Sequence, residues 1–393
     1  MFLLCIRFFY LTPKEQAMRK LLIMVATVSF TLTYAQQTIN GSIIHDGIQR
    51  DYILYIPAIY DGGTEAPLVI NFHGFGSNAN EQMLYGDFRA IADSEGFLLV
   101  HPEGTFFNGN QHWNVGGFTI GSTVDDVGFT EALIEELAGL YTINLDRVYA
   151  TGMSNGGYMS FLLACQLSEK IAAVASVTGS MTPETFDACN PQHPTPILQI
   201  HGTNDEIVPY NGASWSRSIE DVMTYWVNYN NCDESPSTTV FPDIDPTDGS
   251  TVEHIVYQNG DNNVTTEHMK VLGGRHTWPG AAYNLPGTNQ DISASMEIWE
   301  FFSRFDINGT LSTGDYYDQS VTIYPNPTRS TINLSFNFYE RLNYTLFSAT
   351  GQKLISGSLE SSDSQIDLSN LPPNIYYLVI ENQTYKILKS SFR

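Results

Sequence analysis

The sequence predicts an α/β protein, a mostly parallel sheet flanked by helices, that ends in a small all-β sandwich. Two observations lead to this prediction. Short apolar runs typical of buried strands, followed by glycine-containing loops and helical stretches, recur through residues 36–305. Residues after 320 instead alternate apolar and polar side chains on a two-residue period. We place the α/β domain at 36–305, a linker at 306–320 and the β-sandwich at 321–393.

The first 35 residues resemble an export signal. A basic start at 18–20 precedes the apolar stretch 21–34, and Thr33-Tyr34-Ala35 has the small-residue pattern of a cleavage site. We expect a signal peptide at 1–35 that is cleaved after Ala35, with Met18 as an alternative start. A membrane anchor is the other interpretation, but the stretch is shorter than the roughly 20 residues that a span needs. We therefore predict no transmembrane segment.

A nucleophile motif stands between a predicted strand and a predicted helix. The segment GMSNG at 152–156 follows the apolar run 148–151 and precedes the helical stretch 158–167. In an α/β-hydrolase fold, G-x-S-x-G in this context presents the serine hydroxyl at the end of the sheet, and its glycines leave room that a Cβ would fill. The motif predicts Ser154 as a nucleophile, although Ser154 alone is also compatible with a helix N-cap.

Two further candidates follow Ser154 in the chain. Asp205 lies just past the apolar run 197–200, and His276 follows the run 269–272 and two glycines. The order Ser, acid, His, each at the carboxyl end of a strand, is the triad order of the α/β-hydrolase fold. Either residue by itself would be an ordinary turn or loop residue, so the prediction rests on the ordered set.

Acyl transfer explains why these residue types are needed. An imidazole takes the proton of the serine hydroxyl, and a carboxylate fixes the imidazole tautomer. The developing oxyanion needs hydrogen-bond donors, each contributing about 3 kcal/mol. We predict that the backbone N–H groups of Asn155 and Phe75 form the oxyanion hole, with Gly74 as the alternative to Phe75.

Six short segments carry a family pattern. They are HGFGSN (73–78), HPEG (101–104), VDDVGFTEALIEEL (124–137), RVYATGMSNGGYMSFLLAC (147–165), HGTNDEIVPYNG (201–212) and GGRHTWPG (273–280). Together they resemble the secreted polyhydroxybutyrate depolymerase/feruloyl esterase family of α/β-hydrolases, over roughly residues 40–303. The resemblance implies the α/β-hydrolase fold, a serine esterase activity, and triad roles for Ser154, Asp205 and His276.

The resemblance also implies roles for other residues. Trp113 and Trp278 are expected to line the substrate pocket, with core positions as the alternative. The acidic pair 125–126 belongs to the pattern, and we interpret it as the start of a helix at 128–140 rather than as acid–base or metal-binding groups. Family members often pair the cysteine at 232 with another near 256–260, where this chain has none.

Three cysteines remain beyond the signal, at positions 165, 189 and 232. An odd count in an exported protein leaves at least one thiol unpaired or available to another chain. Three pairings are open, and we favour Cys165–Cys189. The alternative is three buried thiols that simply pack.

The chain is strongly acidic. Its net charge is −24, and removing four basic residues and one acidic residue with the signal gives −27. This charge disfavours nucleic acid, anionic membranes and polyanionic substrates. The acidic segment 243–249 departs from the EF-hand calcium pattern. We predict neither a metal nor a cofactor.

The C-terminal region has a different character. Residues 306–320 are rich in Gly, Ser, Thr, Asn and Asp, which is typical of a linker. The segments VTIYPNP (321–327), GQK (351–353) and LPPNIY (371–376) resemble the C-terminal sorting domain of the type IX secretion system, with Asn374 where that family usually has glycine. The resemblance implies secretion to the cell surface or medium, with the type IX machinery as a partner. A carbohydrate-binding module is the alternative.

These observations lead to one function and two alternatives. We expect a secreted serine carboxylic-ester hydrolase that forms an acyl-enzyme and acts on feruloyl or acetyl esters of plant polysaccharides. The substrate rests on analogy with exported polysaccharide-digesting enzymes. The alternatives are a poly(3-hydroxybutyrate) depolymerase or other polyester hydrolase, and a catalytically silent surface binding protein.

Overall fold

The structure is a computed structural model that describes residues 36–283, 285–311, 322–326, 328–335, 342–348, 352–359, 363–380 and 383–389. The chain divides into two compact units, Met1–Leu311 and Ser312–Arg393. The predicted signal peptide (1–35) and residues 312–320 of the predicted linker lie outside the described residues. The domain bounds proposed from the sequence therefore stay predictions.

The first unit is built on a ten-stranded sheet. The strands of this sheet and of a small separate hairpin (β5 and β6) are, in chain order, β1 Gln37–His45, β2 Ile48–Ile56, β3 Ala66–Phe72, β4 Leu98–Pro102, β5 Thr105–Phe107, β6 Asn110–His112, β7 Ile143–Met153, β8 Ala173–Val177, β9 Ile197–Gly202, β10 Ser237–Val240, β11 Thr251–Tyr257 and β12 Thr266–Leu272. A second short hairpin closes the unit, with β13 Phe305–Asp306 and β14 Gly309–Thr310.

The strand order across the large sheet is β1-β2-β4-β3-β7-β8-β9-β12-β11-β10. The six strands from β4 to β12 run parallel, whereas β1, β2, β10 and β11 pair antiparallel with their neighbours. A parallel centre with an antiparallel second strand is the arrangement of the α/β-hydrolase fold, so the predicted fold class is confirmed.

The central strands are apolar because helices cover both faces of the sheet. All seven residues of β3 are buried, and successive side chains point to opposite faces. Leu68 and Ile70 belong to one hydrophobic core and Val69 to another. The helices are α1 Ala79–Tyr85, α2 Arg89–Glu95, α3 Asp126–Leu140, α4 Asn155–Gln166, α5 Pro183–Ala188, α6 Ile219–Tyr229 and α7 Ala294–Phe302. Among the described residues, none of these helices has the length and apolar character to cross a membrane.

The parallel centre determines where the candidate site residues meet. Because β3, β7, β9 and β12 run in one direction, the loops that follow them leave the sheet at the same edge. These loops carry Phe75, Ser154, Asp205 and His276, respectively. Residues that are more than 200 positions apart in the sequence thus reach one edge of the sheet.

The second unit contains only strands among its described residues. Two small antiparallel sheets have the orders β15-β16-β19 and β18-β17-β20-β21, and both contribute to one core that includes Ile332, Leu346 and Leu378. This agrees with the predicted small all-β tail. The strands are β15 Thr322–Tyr324, β16 Thr331–Ser335, β17 Leu342–Ser348, β18 Lys353–Leu359, β19 Asp363–Asp367, β20 Asn374–Ile380 and β21 Gln383–Lys389.

One disulfide braces the helices of the first unit. Cys165, near the end of α4, is bonded to Cys189, which follows α5, and the Cα atoms are 4.7 Å apart. This is the pairing that we favoured from the sequence. Cys232 is a buried free thiol whose Sγ lies 3.7 Å from Thr266 Oγ1. Burial raises the pKa of this thiol, which makes it unreactive.

Candidate active site

Ser154 occupies a strained turn between β7 and α4. Its φ of 55° and ψ of −119° lie outside the regions that non-glycine residues normally adopt, as is common at functional turns. The flanking glycines permit this turn: a Cβ on Gly152 would lie 2.6 Å from the Phe72 carbonyl oxygen, and a Cβ on Gly156 would overlap the same oxygen. The Ser154 N–H donates to the Val177 carbonyl at 2.8 Å, which ties the turn to β8.

A buried carboxylate orients the His276 ring. Asp205 Oδ2 lies 2.7 Å from His276 Nδ1, and the Asp205 side chain is inaccessible to solvent. The other oxygen, Oδ1, accepts hydrogen bonds from the N–H groups of Ile207 and Val208 at 2.9 and 2.8 Å. The carboxylate therefore has a fixed orientation in which it accepts Nδ1–H, and Nε2 of His276 is left to accept a proton.

A second histidine flanks this carboxylate. His201 Nε2 lies 3.4 Å from Asp205 Oδ2 and 2.9 Å from the Val208 carbonyl oxygen. On the other side of the ring, Nδ1 accepts from the Gln199 amide at 3.0 Å. Burial lowers the pKa of His201, so the ring stays neutral. It supports the acid without placing a positive charge beside it.

One cavity, of about 500 Å³, brings the candidate residues together. Ser154 and His276 share its wall with Gly74 and Phe75. The cavity is within the size range of small-molecule sites, roughly 300–1,000 Å³. The remaining lining residues are Ser77, Glu81, Gln82, Leu84, Tyr85, Met153, Tyr283 and Leu285.

The two predicted oxyanion donors belong to segments that border Ser154. Asn155 is the first residue of α4, where backbone N–H groups lack an intrahelical acceptor. Phe75 lies in the loop after β3, and a Cβ on the neighbouring Gly74 would be 3.5 Å from the Ser154 Cβ. Both segments therefore lie beside the serine, and the catalytic role of the two amides remains a prediction.

The two tryptophans that we expected in the pocket lie in the core. Trp113 is 0% exposed and Trp278 is 1% exposed, and neither lines this cavity. Trp278 packs edge-on against Phe88, with ring centroids 6.1 Å apart, and its Nε1–H donates to Ser295 Oγ at 3.2 Å. The structure thus contradicts a substrate-lining position for both rings and bears out the alternative of core positions.

The sequence did not predict the aromatic wall of the cavity, which is formed by Tyr85 and Tyr283. Tyr85 stands at the end of α1, and Tyr283, which is 59% exposed, lies in the loop after His276. The Trp278 N–H donates to Tyr85 Oη at 3.1 Å, so a buried tryptophan backbone holds a tyrosine of the wall. Neither tyrosine belongs to a motif or a periodic pattern, and no sequence signal marks them.

The acidic pair 125–126 begins α3, as we interpreted it. The Asp125 side chain accepts the Gly128 N–H at 2.8 Å. Among the described residues, the group formed by His45, Asp46 and Asp125 presents potential metal-ligand atoms within 4.8 Å of one another. His45 Nε2 lies 3.4 Å from Asp125 Oδ2, and this group shares no residue with the cavity.

Comparison with known proteins agrees with the geometry. Residues 123–240 match the family described as Phospholipase/Carboxylesterase, and residues 322–391 match the Secretion system C-terminal sorting domain. The chain therefore has the α/β-hydrolase fold and, at residues 322–391, the sequence of a C-terminal sorting domain. Its recognised relatives include feruloyl and acetylxylan esterases, whereas the polyhydroxybutyrate depolymerase part of the resemblance stays a prediction.

Three relatives of this chain illustrate the similarity. It is 29% identical over 279 residues to a bifunctional acetylxylan esterase/xylanase of Neocallimastix patriciarum, which covers 70% of this chain and 36% of that protein. It is 30% identical over 238 residues to feruloyl esterase B of Piromyces equi, covering 58% and 42%. It is 26% identical over 285 residues to feruloyl esterase D of Neurospora crassa, covering 69% and 86%. The chain thus spans about two fifths of the length of the first two relatives.

Solved structures include an acetyl xylan esterase from Aspergillus awamori. It is 13% identical, with a TM-score of 0.49, and the match covers 68% of this chain and 99% of that one.

Proposed function

We propose that this α/β-hydrolase is an exported serine esterase that cleaves carboxylic esters through an acyl-enzyme. The observation that carries the proposal is the cavity whose wall contains both Ser154 and His276. Asp205 is hydrogen-bonded to Nδ1 of the His276 ring. The Phospholipase/Carboxylesterase match and the esterase names of the relatives support the same reaction class.

The proposed reaction has two halves. In the first, His276 Nε2 takes the Ser154 proton while Oγ bonds to the ester carbonyl carbon, and the N–H groups of Asn155 and Phe75 stabilise the oxyanion. The tetrahedral intermediate then expels the alcohol, which receives the proton from His276. In the second half, water attacks the acyl-enzyme by the same route, and the acid is released. Asp205 stabilises the imidazolium in both halves.

Feruloyl esters of plant polysaccharides are the substrate that we favour, with acetyl esters next. The names of the relatives motivate both groups. The cavity favours an aromatic acyl group, because the side chains of Tyr85, Tyr283 and Leu285 form a largely apolar wall. An acetyl group would leave most of the 500 Å³ unfilled. A polyester substrate is the alternative.

Export rests on the second unit. The sorting-domain match at residues 322–391 supports secretion through the type IX system. In a bacterium that has this system, we expect the full chain to reach the medium or the cell surface. A chain that lacks residues 322–393 should stay inside the cell envelope, and its appearance in the medium would contradict this export route.

The esterase proposal is tested with the purified full chain and two serine variants. Ser154→Ala removes the nucleophile, whereas Ser160→Ala removes a hydroxyl in the same helix that donates only to the Gly156 carbonyl (2.9 Å). We expect Ser154→Ala to abolish hydrolysis of methyl ferulate and of p-nitrophenyl acetate, and Ser160→Ala to keep both. Substantial activity of Ser154→Ala would overturn the mechanism.

The same proteins separate the alternatives. Turnover of the acetate alone would move the substrate towards acetylated polysaccharide or polyester, and clearing of a polyhydroxybutyrate suspension would select the polyester. A silent binding protein predicts no turnover and no labelling of Ser154 by a fluorophosphonate. Labelling at Ser154 would exclude it.

A further inference from the structure

We propose that Trp113, which is buried behind the catalytic serine, is a positioning residue that holds both sides of the oxyanion hole. The proposal rests on the proposed function, since it assigns a role within that reaction. Trp113 is 0% exposed and does not line the cavity, so it acts through other residues and not on substrate. Its hydrogen bonds reach both segments that carry the predicted oxyanion donors.

The first side is Asn155. The Trp113 backbone N–H donates to Asn155 Oδ1 at 2.7 Å, and Asn155 Nδ2 donates to the Trp113 carbonyl at 3.0 Å. Two parallel hydrogen bonds fix the Asn155 amide plane in the way that a paired strand would. The Asn155 side chain is fully buried, and these two hydrogen bonds, which we call the clamp, tie it to the Trp113 backbone. The clamp sets the position of the residue whose backbone N–H faces the oxyanion.

The second side is the loop after β3. Trp113 Nε1–H donates to the His73 carbonyl at 2.9 Å, and its ring lies 4.9 Å from the His73 ring, centroid to centroid. Since the peptide unit is planar and trans, fixing the His73 carbonyl also fixes the direction of the Gly74 N–H. The indole therefore anchors the start of the segment that carries Gly74 and Phe75.

His73 passes this constraint on to Phe75. The Gly104 N–H donates to His73 Nε2 at 2.9 Å, so the proton of the neutral ring is on Nδ1, which donates to the Gly74 carbonyl at 2.8 Å. Burial lowers the pKa of His73 to about 4, so this tautomer holds at neutral pH. The Gly74 carbonyl shares its peptide plane with the Phe75 N–H, which is the second predicted donor.

Trp113 itself is held from outside the site. The neighbouring Asn114 N–H donates to Asp126 Oδ2 at 2.7 Å, and Asp126 Oδ1 forms a buried ion pair with Arg50 at 2.7 Å. The Arg50 guanidinium lies 3.8 Å from the centroid of the Phe129 ring. A buried ion pair thus fixes the backbone next to Trp113, although neither charge contributes to the cavity wall.

The test compares Trp113→Phe with the wild-type full chain. The variant keeps an aromatic ring and loses the indole N–H that holds the His73 carbonyl. Complete loss of one oxyanion donor lowers kcat by about 10²–10³-fold, so misplacement of a donor should lower it by roughly 10- to 100-fold. We expect KM for methyl ferulate and inhibition by the product ferulate to change less than about twofold. Affinity for a boronic acid, which forms a tetrahedral adduct with Ser154, should fall in parallel with kcat.

Two further variants separate positioning from structural damage. Trp226→Phe is the matched control, because Trp226 is equally buried and its Nε1 has no hydrogen-bond partner among the described residues; it should keep kcat. Asn155→Ala leaves the backbone donor in place and removes only the clamp, so it should show the same fall in kcat at unchanged KM.

The outcomes distinguish the two proposals. If Trp113→Phe and Asn155→Ala keep wild-type kcat while Ser154→Ala is inactive, the positioning role is wrong and the esterase proposal stands. If Trp226→Phe loses as much kcat and boronate affinity as Trp113→Phe, a general packing effect explains the result and the positioning role is also wrong. Activity of Ser154→Ala would instead remove the basis of both.

Discussion

Replacing Asp205 with asparagine should convert His276 into the wrong tautomer. The N–H groups of Ile207 and Val208 donate to Asp205 Oδ1, so an asparagine must place its carbonyl oxygen there. Its NH₂ group then takes the place of Oδ2, 2.7 Å from His276 Nδ1. Nδ1 can accept that hydrogen bond only if the ring proton is on Nε2. A ring protonated at Nε2 cannot take the proton of Ser154.

The magnitude follows from this geometry. Loss of the correct tautomer in a serine triad lowers kcat by about 10⁴-fold, which corresponds to about 5.5 kcal/mol. The flanking His201 increases the effect, because its Nε2–H lies 3.4 Å from Oδ2 and would face a second donor. Few alternative rotamers exist, since the Asp205 side chain is inaccessible to solvent. We therefore expect nearly the full loss.

The assay is kcat/KM for p-nitrophenyl acetate, measured for Asp205→Asn and for the control Glu206→Gln at an exposed neighbouring carboxylate. Thermal unfolding and fluorophosphonate labelling of both variants show whether the fold and the serine are intact. The control should match the wild type. If folded Asp205→Asn kept more than roughly a tenth of wild-type kcat, His276 would not depend on this carboxylate, and the tautomer argument would be refuted.

Three further predictions concern stability. Gly156→Ala should lower the free energy of unfolding by about 3 kcal/mol in chemical denaturation, because its Cβ would overlap a backbone carbonyl of β3. The control Gly139→Ala, with open space around the Cβ, should raise the free energy of unfolding by about 0.5–1 kcal/mol, and equal effects of the two substitutions would refute the steric argument. Asp126→Asn should lower the free energy of unfolding by about 3–5 kcal/mol, because it leaves the buried Arg50 charge unpaired. A decrease below about 1 kcal/mol would show that water hydrates the guanidinium in the variant. Burial lowers the pKa of His268 to about 3, so between about pH 6.5 and pH 3 the unfolded chain binds a proton that the folded chain does not, and the free energy of unfolding falls as the pH is lowered through this range. His268→Phe should reduce the slope of stability against pH there by about 1.4 kcal/mol per pH unit, and an unchanged slope would mean that His268 is protonated in the native state.

The sequence was informative where local chemistry and chain order act together. G-x-S-x-G marks Ser154, because only glycines fit beside a turn with this φ and ψ. Parallel strand ends converge at one edge of a sheet, so the order of Asp205 and His276 after Ser154 was enough to predict their meeting. The all-β tail was visible from its two-residue period.

The sequence was less informative about which aromatic side chains face the cavity. The family resemblance associated Trp113 with the substrate pocket. In the structure its hydrogen bonds are to Asn155 and His73, which are 42 and 40 residues away in the sequence. These contacts depend on how the hairpin of β5 and β6 docks, which no periodicity encodes. Tyr85 and Tyr283 line the cavity from a helix end and a loop, where a tyrosine is equally compatible with solvent exposure.

The order of strands in the sheet has a consequence for the biogenesis of this protein. Ser154 follows β7 and His276 follows β12, and two further strands, β8 and β9, lie between these in the sheet. In the proposed mechanism, a chain that has folded only as far as β9 lacks its general base, so we expect the nascent protein to be inert towards esters. Closing such long-range contacts is also the slow part of folding. Ester hydrolysis is therefore expected only after the whole parallel sheet has formed. The rate at which turnover recovers after dilution from denaturant would measure the rate of the last step in forming this sheet.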